Sequence, residues 1–315
     1  MKKNIYPILL GVLSAFFFSL TFILNELMAV HKSYWVWSGT LRYLWMLPML
    51  IIVLILQRKN FYPIWQTLSN NYFQWIIWSN VGFVGFYMPM VFAANYLPGW
   101  IVSSVWQLTI IFGVLTTPLI KVKQIVNGEE TVVRAKIPID SLPWLVIILI
   151  GVGLTIIGEK SNSINISEFF VSLLSLIFAS IAYPLGNRKI MPLATKLSGV
   201  QRVFSMVLCS YPTFLILSLF AYFKFGWPSS NTLLNTFCVA VFSGVIATVL
   251  FFKATSLVYY NMQSLAQVEA TQSLEVVFSI LLSLFFLGQE LPSLWQWLGV
   301  LTLLFGILMI NIRIK

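Results

Sequence analysis

The sequence predicts an all-α integral membrane protein with ten transmembrane helices, arranged as two inverted five-helix repeats. Its 315 residues are 59% hydrophobic and only 9% charged, and their mean hydropathy is +0.90. A soluble domain carries about 25% charged residues. The apolar residues fall into ten stretches, and most of the basic residues lie in the short segments between them. Composition and patterning together therefore place the chain in a lipid bilayer.

The predicted spans follow from the thickness of the bilayer, whose core of about 30 Å is crossed by about 20 helical residues. They are residues 5–29, 34–56, 72–95, 99–120, 143–158, 167–185, 200–223, 232–256, 261–287 and 293–312. The fifth span is short, and we expect it to use residues from its flanks. The first apolar run is too long for a signal peptide and precedes no small-residue cleavage site, so we expect it to remain as an anchor.

The distribution of positive charge predicts the orientation in the membrane. Ten spans put both termini on one side, where thirteen Lys and Arg residues lie, whereas three lie in the opposite loops and three within spans. The positive-inside rule then places both termini in the cytoplasm, and we expect the protein in the plasma (inner) membrane. The net charge of +10 does not indicate nucleic-acid binding, because the basic residues form no face on a polar domain.

Two offsets within the chain indicate an internal repeat. An offset of 160 residues aligns Arg42 with Arg202, Phe92 with Phe252, Ser104 with Ser264 and Gln107 with Gln267. An offset of 148 aligns Gly151 with Gly299, and the difference falls in the polar, cytoplasmic loop 121–142. We therefore expect a single membrane domain with halves at 1–160 and 161–315. Five spans per half is an odd number, so the second half is inverted, as in many secondary transporters.

The ninth span carries two carboxylates inside an apolar stretch. Glu269, Gln272 and Glu275 follow i, i+3, i+6 spacing, which predicts one polar stripe on a continuous helix. A charged residue at the bilayer centre costs about 3 kcal/mol on insertion scales, so it usually has a task. Burial favours the neutral acid, which can then exchange protons near neutral pH. We expect these three residues to couple protons or bind substrate; the alternative is a structural ion pair or interhelical hydrogen bond.

Four further charged residues lie in or near spans. Glu26 near the outer end of the first span and Arg42 in the second are expected to form an ion pair, with a gate as the alternative. Arg202 and Lys253 lie near cytoplasmic ends and can reach the headgroups, and a gating role for Arg202 also stays open. Lys253 has a second alternative, as the partner of Glu269 or of an anionic substrate.

Three more residues are candidates for the lining of a substrate cavity. Trp106 and Tyr183 lie within spans and offer ring faces to flat or cationic compounds. Gln107 is polar, lies in mid-span and aligns with Gln267 across the repeat. The alternative for each is ordinary helix packing.

Several kinds of chemistry lack their sequence signature. There is no Walker-type glycine loop, no Gly-x-Ser-x-Gly elbow and no His/Cys cluster, and the one aspartate, Asp140, lies in a polar loop. We therefore expect no cofactor, no metal and no enzymatic activity.

Short segments resemble a known family across essentially the whole chain. They are residues 182–189 (AYPLGNRK), 242–255 (FSGVIATVLFFKAT), 268–275 (VEATQSLE) and 287–292 (LGQELP). Together with ten spans in two halves, they resemble the drug/metabolite transporter superfamily and, within it, the multidrug resistance efflux transporter family. The small four-helix exporters of that superfamily carry a glutamate in the middle of the first helix. Here that region reads Ser14, Ala15, Phe16, so the glutamate's role cannot be transferred to the first helix.

The resemblance implies a secondary transporter that exports small molecules by alternating access. Protons are the expected coupling ion, with Glu269, and Glu275 beside it, as the acids that bind and release them. One alternative is a metabolite or amino-acid permease that uses Lys253 or Arg202 against a carboxylate or phosphate. An alternative of another class is a non-transporting membrane scaffold. The sequence does not define the oligomeric state.

Overall fold

The computed structural model describes residues 5–119, 121–126, 129–134, 137, 139–157, 165–258 and 262–313. The predicted boundary between the halves, at 160 and 161, lies outside the described residues. So do residues 120, 158 and 261, at which three predicted spans end or begin. Within the described part the protein is a bundle of helices. Eight of them are long and apolar enough to cross a membrane, and two shorter apolar helices, Gly99–Leu115 and Leu294–Ile310, accompany them.

The helices follow one another with short connections. The first eight are α1 (Tyr6–Val30), α2 (Trp35–Leu56), α3 (Tyr62–Asn70), α4 (Tyr72–Ser79), α5 (Gly85–Ala94), α6 (Gly99–Trp106), α7 (Leu108–Leu115) and α8 (Leu142–Ile157). The remaining seven are α9 (Ile166–Ile190), α10 (Gly199–Phe225), α11 (Ser230–Val239), α12 (Thr248–Leu257), α13 (Met262–Ala270), α14 (Leu274–Leu287) and α15 (Leu294–Arg313).

Four of the apolar helices are interrupted rather than regular. A π-helical turn, Asn80–Val84, joins α4 to α5, and a second, Ala240–Ala247, joins α11 to α12. Gln107 separates α6 from α7, and a 3₁₀ turn, Thr271–Ser273, separates α13 from α14. Such interruptions within a helix often mark functional positions.

Most predicted spans agree with the helices of the structure, and the differences concern where individual helices begin, end or break. Eight coincide with membrane-length helices, and the short fifth span does gain residues from its flank, since the apolar helix runs over Ile139–Ile157. The fourth and tenth predicted spans contain the two shorter helices. Helix α3 (Tyr62–Asn70) was not among the predicted elements. It is short and contains several polar residues, so it did not meet the length and apolar character expected of a membrane span.

The polar loop 121–142 departs from the all-α prediction. Strands β1 (Lys121–Val126) and β2 (Glu129–Arg134) pair antiparallel, with Lys121 opposite Arg134. Their β-branched residues favour strand structure in a short polar segment that no membrane helix constrains.

Helix α1 has a central place in the bundle. It packs against α6, α11, α12 and α14, and most of its polar residues are buried. Helix α9 packs in turn against α4, α5, α6 and α7.

Helices α8 and α15 cross very closely because glycines lie at their contact. A Cβ added at Gly151 would come within 2.6 Å of the Leu303 backbone nitrogen, and one at Gly299 within 2.6 Å of the Thr155 backbone nitrogen. Small residues let membrane helices approach until their backbones touch, which increases van der Waals contact where lipid offers no hydrophobic drive. The crossing therefore depends on the missing side chains.

The α8–α15 crossing predicts opposite effects for two glycines on one helix. In Gly151→Ala the new methyl group overlaps backbone of α15, so the change should cost about 1–3 kcal/mol in stability. Gly153 has no atom within 4 Å of an added Cβ, so Gly153→Ala should be neutral or stabilising through better helix propensity. Thermal unfolding of the detergent-solubilised variants compares the two. Equal melting temperatures for both variants would contradict the close crossing.

Candidate functional site

Three aromatic rings from three different helices meet inside the bundle. The ring centroids of Phe86 on α5 and Trp106 on α6 lie 4.6 Å apart. Tyr183 on α9 lies 4.9 Å from Phe86 and 5.3 Å from Trp106. We call these three residues the aromatic cluster. The structure thus brings together two of the predicted cavity residues, Trp106 and Tyr183, with a third ring.

Tyr183 faces the interior of the bundle and is nevertheless accessible. The outward face of α9 is marked by Phe170, Leu174 and Phe178, which are all more than half exposed. Tyr183 lies nine residues after Leu174, which is a rotation of roughly 180° around the helix. Its side chain is 36% exposed although it points away from that outward face. The exposed surface of Tyr183 therefore lies on the side of α9 that faces the other helices, and we call the region on this side the interior space.

Charged groups from three other helices surround the Tyr183 hydroxyl. It lies within electrostatic range of Arg202 on α10, Glu275 on α14 and Arg42 on α2. Glu275 is only 6% exposed, and it makes no hydrogen bond or ion pair with the part of the chain that the structure describes. In the described part of the chain, Arg42, Arg202 and Glu275 are thus the charged residues that act electrostatically on Tyr183.

Arg42 is held by neutral partners. Its Nη2 donates a hydrogen bond of 3.0 Å to the Ser243 hydroxyl, and its guanidinium carbon lies 4.3 Å from the centre of the Tyr87 ring. The Tyr87 hydroxyl donates in turn to Asn25 Oδ1 on α1, at 3.2 Å. Arg42 is 7% exposed, and its Nε is buried without a hydrogen-bond partner. This network connects α1, α2, α5 and the second π-helical turn.

The second π-helical turn is what presents Ser243 to this network. Directly after Ala240–Ala247, the Thr248 hydroxyl donates to the Ser243 carbonyl five residues back. A π turn places one extra residue in the helix and so re-aims the side chains around it. The Ser243 hydroxyl is thereby left to accept from Arg42.

Arg202 and Lys253 both lie against aromatic rings. The Arg202 guanidinium carbon is 5.4 Å from the centre of the Phe252 ring, and its Nε is buried without a hydrogen-bond partner. The Lys253 ammonium lies 5.7 Å from the centre of the Tyr6 ring, and its side chain is exposed. Arg202 is also within electrostatic range of Tyr183.

Glu26 and Arg42, the two residues of the expected ion pair, have different described hydrogen-bond partners. Glu26 accepts a hydrogen bond of 2.7 Å from the backbone N–H of Gly99, and a second from the Gln289 side chain. Gly99 is the first residue of α6, so the carboxylate stabilises the positive end of that helix. Glu26 thereby links α1, the start of α6 and the loop after α14, while Arg42 bonds to Ser243.

The predicted polar stripe on the ninth span is interrupted. The Thr271 and Ser273 hydroxyls donate to carbonyls three residues back, which favours the 3₁₀ turn between α13 and α14. Glu269 on α13 is exposed, Gln272 donates to a backbone carbonyl of α1, and Glu275 is buried. The three residues therefore lie in three different environments instead of on one face.

Gln107 also has a local partner. Its amide donates to the Ser103 carbonyl at 3.3 Å, and the side chain is buried at the break between α6 and α7. The neighbouring Ser103 hydroxyl bonds to Ser279 on α14 at 2.6 Å, which holds the two interrupted helices together. The described hydrogen bond of the Gln107 side chain thus supports the helix break.

Sequence reasoning missed Phe86, Ser243 and Asn25. Asn25 was visible as an amide inside an apolar span. Serine and phenylalanine are common in membrane helices, so neither type carried a signal. In the described part of the chain no three His, Cys, Asp or Glu residues come together as metal ligands.

A polar interior within a multi-pass helical membrane protein is characteristic of transporters, and the comparisons with known proteins place the chain among them. The profile of the EmrE family, described as "Putative multidrug resistance efflux transporter", matches residues 5–315. The chain belongs to this family and, with it, to the drug/metabolite transporter superfamily.

Two relatives are similar over most of their length. The uncharacterised protein YjlA of Bacillus subtilis (strain 168) is 42% identical over 303 residues, which cover 96% of this chain and 93% of YjlA. An uncharacterised 42.1 kDa protein of Shouchella clausii, from the 3′ region of an intracellular alkaline protease, is 38% identical over 266 residues, or 84% of this chain and 69% of that protein.

A solved structure shares the fold. It is described only as "Crystal structure of protein", and it superposes with a TM-score of 0.60 over 96% of this chain and 94% of its own, at 14% sequence identity.

The role of Glu26 at the start of α6 gives a graded prediction. Glu26→Ala removes the acceptor and leaves the buried Gly99 N–H without a partner, which should cost about 1–3 kcal/mol. Glu26→Gln keeps an acceptor oxygen and should lose less. The thermal unfolding midpoints of both variants measure the difference. A midpoint for Glu26→Ala equal to that of the wild type would contradict the structural role.

Proposed function

We propose that the protein is a secondary active transporter that exports small molecules, including drugs or lipophilic compounds, by alternating access. The observation that carries the proposal is the inward-facing, accessible Tyr183, with Arg42, Arg202 and Glu275 around it. A charged residue is rare inside membrane helices, and there it usually borders a substrate or ion path. Family membership supports transport as the general activity.

The proposed architecture is ten transmembrane helices in two inverted halves, which rock about the central site. Several features support it at the offset of 160 residues. Helices α1 and α9 are 25 residues long and begin at Tyr6 and Ile166, and the two π-helical turns begin at Asn80 and Ala240. In each pair, the second element therefore starts 160 residues after the first.

The contacts between the halves support the same architecture. Helix α1 packs against α11 and α12, and its counterpart α9 packs against α4 and α5. The first span of each half therefore packs against the third span of the other half. The crossing of α8 and α15 brings together Gly151 and Gly299, which the offset of 148 aligns. An approximate two-fold axis through this crossing accounts for both patterns.

We further propose that Glu269 and Glu275 take up and release the coupling protons. Glu275 is supported by its burial beside Tyr183, and Glu269 by its exposed position on α13, one short turn away along the chain. Desolvation favours a neutral carboxyl group, and opening of the site to water favours an ionised one, which is the cycle that proton antiport needs. The positive charge of the loops supports the plasma membrane with both termini in the cytoplasm.

A metabolite or amino-acid permease of the same fold is the second candidate. It is favoured by Arg42 and Arg202, whose buried Nε atoms have no hydrogen-bond partner in the structure. Buried guanidinium groups repel a cationic drug and attract a carboxylate or phosphate.

Proton coupling is tested in proteoliposomes with an internal pH dye. Lipophilic cations, amino acids and nucleotides are added outside under an imposed pH gradient, and proton movement is recorded. We expect compound-dependent proton movement in the wild type and its loss in Glu269→Gln and Glu275→Gln, because an amide cannot exchange the proton. Glu290→Gln is the matched control, since Glu290 is exposed in the loop after α14. Full gradient-driven movement in both test variants would make these acids structural.

A further inference from the structure

We propose that Arg42 and Ser243 form a subsite for the carboxylate of the transported molecule. The flat apolar part of that molecule then lies against the aromatic cluster. The substrate class is thus an aromatic carboxylate, either a simple acid or an amino acid. This inference rests on the proposed transport function and names the substrate of the same site.

Within the part of the chain that the structure describes, no acid pairs with Arg42. Its described partners are the Ser243 hydroxyl group and the rings of Tyr87 and Tyr43, and its Nε is buried without a hydrogen bond. The acid expected beside it, Glu26, is bound to Gly99 and Gln289 instead. A buried charge without a counter-ion is unfavourable, so a merely structural arginine would be expected to have a carboxylate next to it.

The geometry of the guanidinium group favours a carboxylate as the missing partner. Arginine has five N–H donors in a rigid plane that matches two carboxylate oxygens. Only one described bond, from Nη2 to Ser243, uses these donors. The guanidinium group lies over the rings of Tyr87 and Tyr43, so a ligand is expected to approach from a side that these rings leave open.

The aromatic cluster lies directly beside this subsite. The ring of Tyr87 lies beside Arg42. Phe86, the residue before Tyr87 on α5, contacts the rings of both Trp106 and Tyr183. The Tyr183 hydroxyl is also within electrostatic range of Arg42. A molecule bound to Arg42 at one end therefore meets aromatic faces at the other, where a flat ring stacks favourably.

The charges around the space decide against a lipophilic cation. Arg42 and Arg202 carry two positive charges, and Glu275 carries at most one negative charge. A cation would meet net repulsion, whereas a carboxylate is attracted. The ammonium group of an amino acid can still lie near Glu275, so a zwitterion is accepted as well as an anion.

The test uses three probes that share one ring system and differ in charge. Indole-3-acetate is an anion, indole-3-acetamide is neutral and tryptamine is a cation. Thermal unfolding of the purified full-length protein in detergent is titrated with each probe, which gives an apparent affinity. We expect indole-3-acetate to bind about ten- to hundredfold more tightly than the other two probes. Neither of those probes has a carboxylate that can pair with Arg42.

Substitutions then locate the subsite. Arg42→Gln should lower the apparent affinity for indole-3-acetate by about ten- to hundredfold. The weak binding of indole-3-acetamide should stay unchanged. Arg42→Lys keeps the charge without the planar fork and should give an intermediate loss, and it serves if Arg42→Gln does not fold. Arg188→Gln is the matched control, because Arg188 bonds to Thr117 away from the aromatic cluster and should bind the anion like the wild type.

Several outcomes overturn the proposal. They are tightest binding of tryptamine, no binding of indole-3-acetate, or undiminished binding in both Arg42 variants. The transport function fails separately: if indole-3-acetate binds through Arg42 but no compound moves across proteoliposomes, the subsite stands and the transport proposal falls. Conversely, gradient-driven movement of tryptamine alone leaves transport standing and removes the carboxylate subsite.

Discussion

Lipid offers no hydrogen-bond partners, and the rest of this structure depends on that constraint. A polar group within the bundle is stabilised by a partner in its own helix or in another helix, or by a position beside a space that admits water. Glu26 meets the requirement by binding the first N–H of α6, which fixes α1 against that helix. Ser14 does the same through its bond to the Ala247 carbonyl at the end of the second π-helical turn. The arrangement of helices around α1 is to a large extent the result of such pairings.

The same constraint gives the helix interruptions their significance. A π or 3₁₀ turn leaves the regular hydrogen-bond pattern, which is unfavourable in an apolar environment unless nearby groups compensate. Here the turns are supported by hydroxyl groups of their own residues, as with Thr271 and Ser273, and they lie against α1 or α9. They also position Ser243 and separate Glu269 from Glu275. The interruptions therefore shape the polar interior rather than merely perturb the helices.

The charges of the interior point to the kind of molecule that it accommodates. Two arginines and one glutamate from three helices lie around Tyr183, while aromatic rings complete the surroundings. The family description emphasises drugs, and lipophilic drugs are often cations. The positively charged interior instead favours an anion. The aromatic carboxylate that we propose as substrate would suit both the ring site and the guanidinium site. The two relatives are uncharacterised and so leave the choice of substrate open to experiment.

The sequence alone determined the membrane class, the family and the approximate positions of the helices, because long apolar runs and the charges between them act locally. It also singled out Arg42, Arg202, Glu269 and Glu275, since a charged residue in an apolar span is conspicuous wherever it lies. The partners of these residues were decided only by the tertiary structure. Ser243 lies 201 positions after Arg42, and Gly99 lies 73 after Glu26, so no pattern within one helix could connect them. The inward direction of Tyr183 and the break beside Gln272 likewise depend on how neighbouring helices satisfy each other's polar groups, which is a property of the packed bundle.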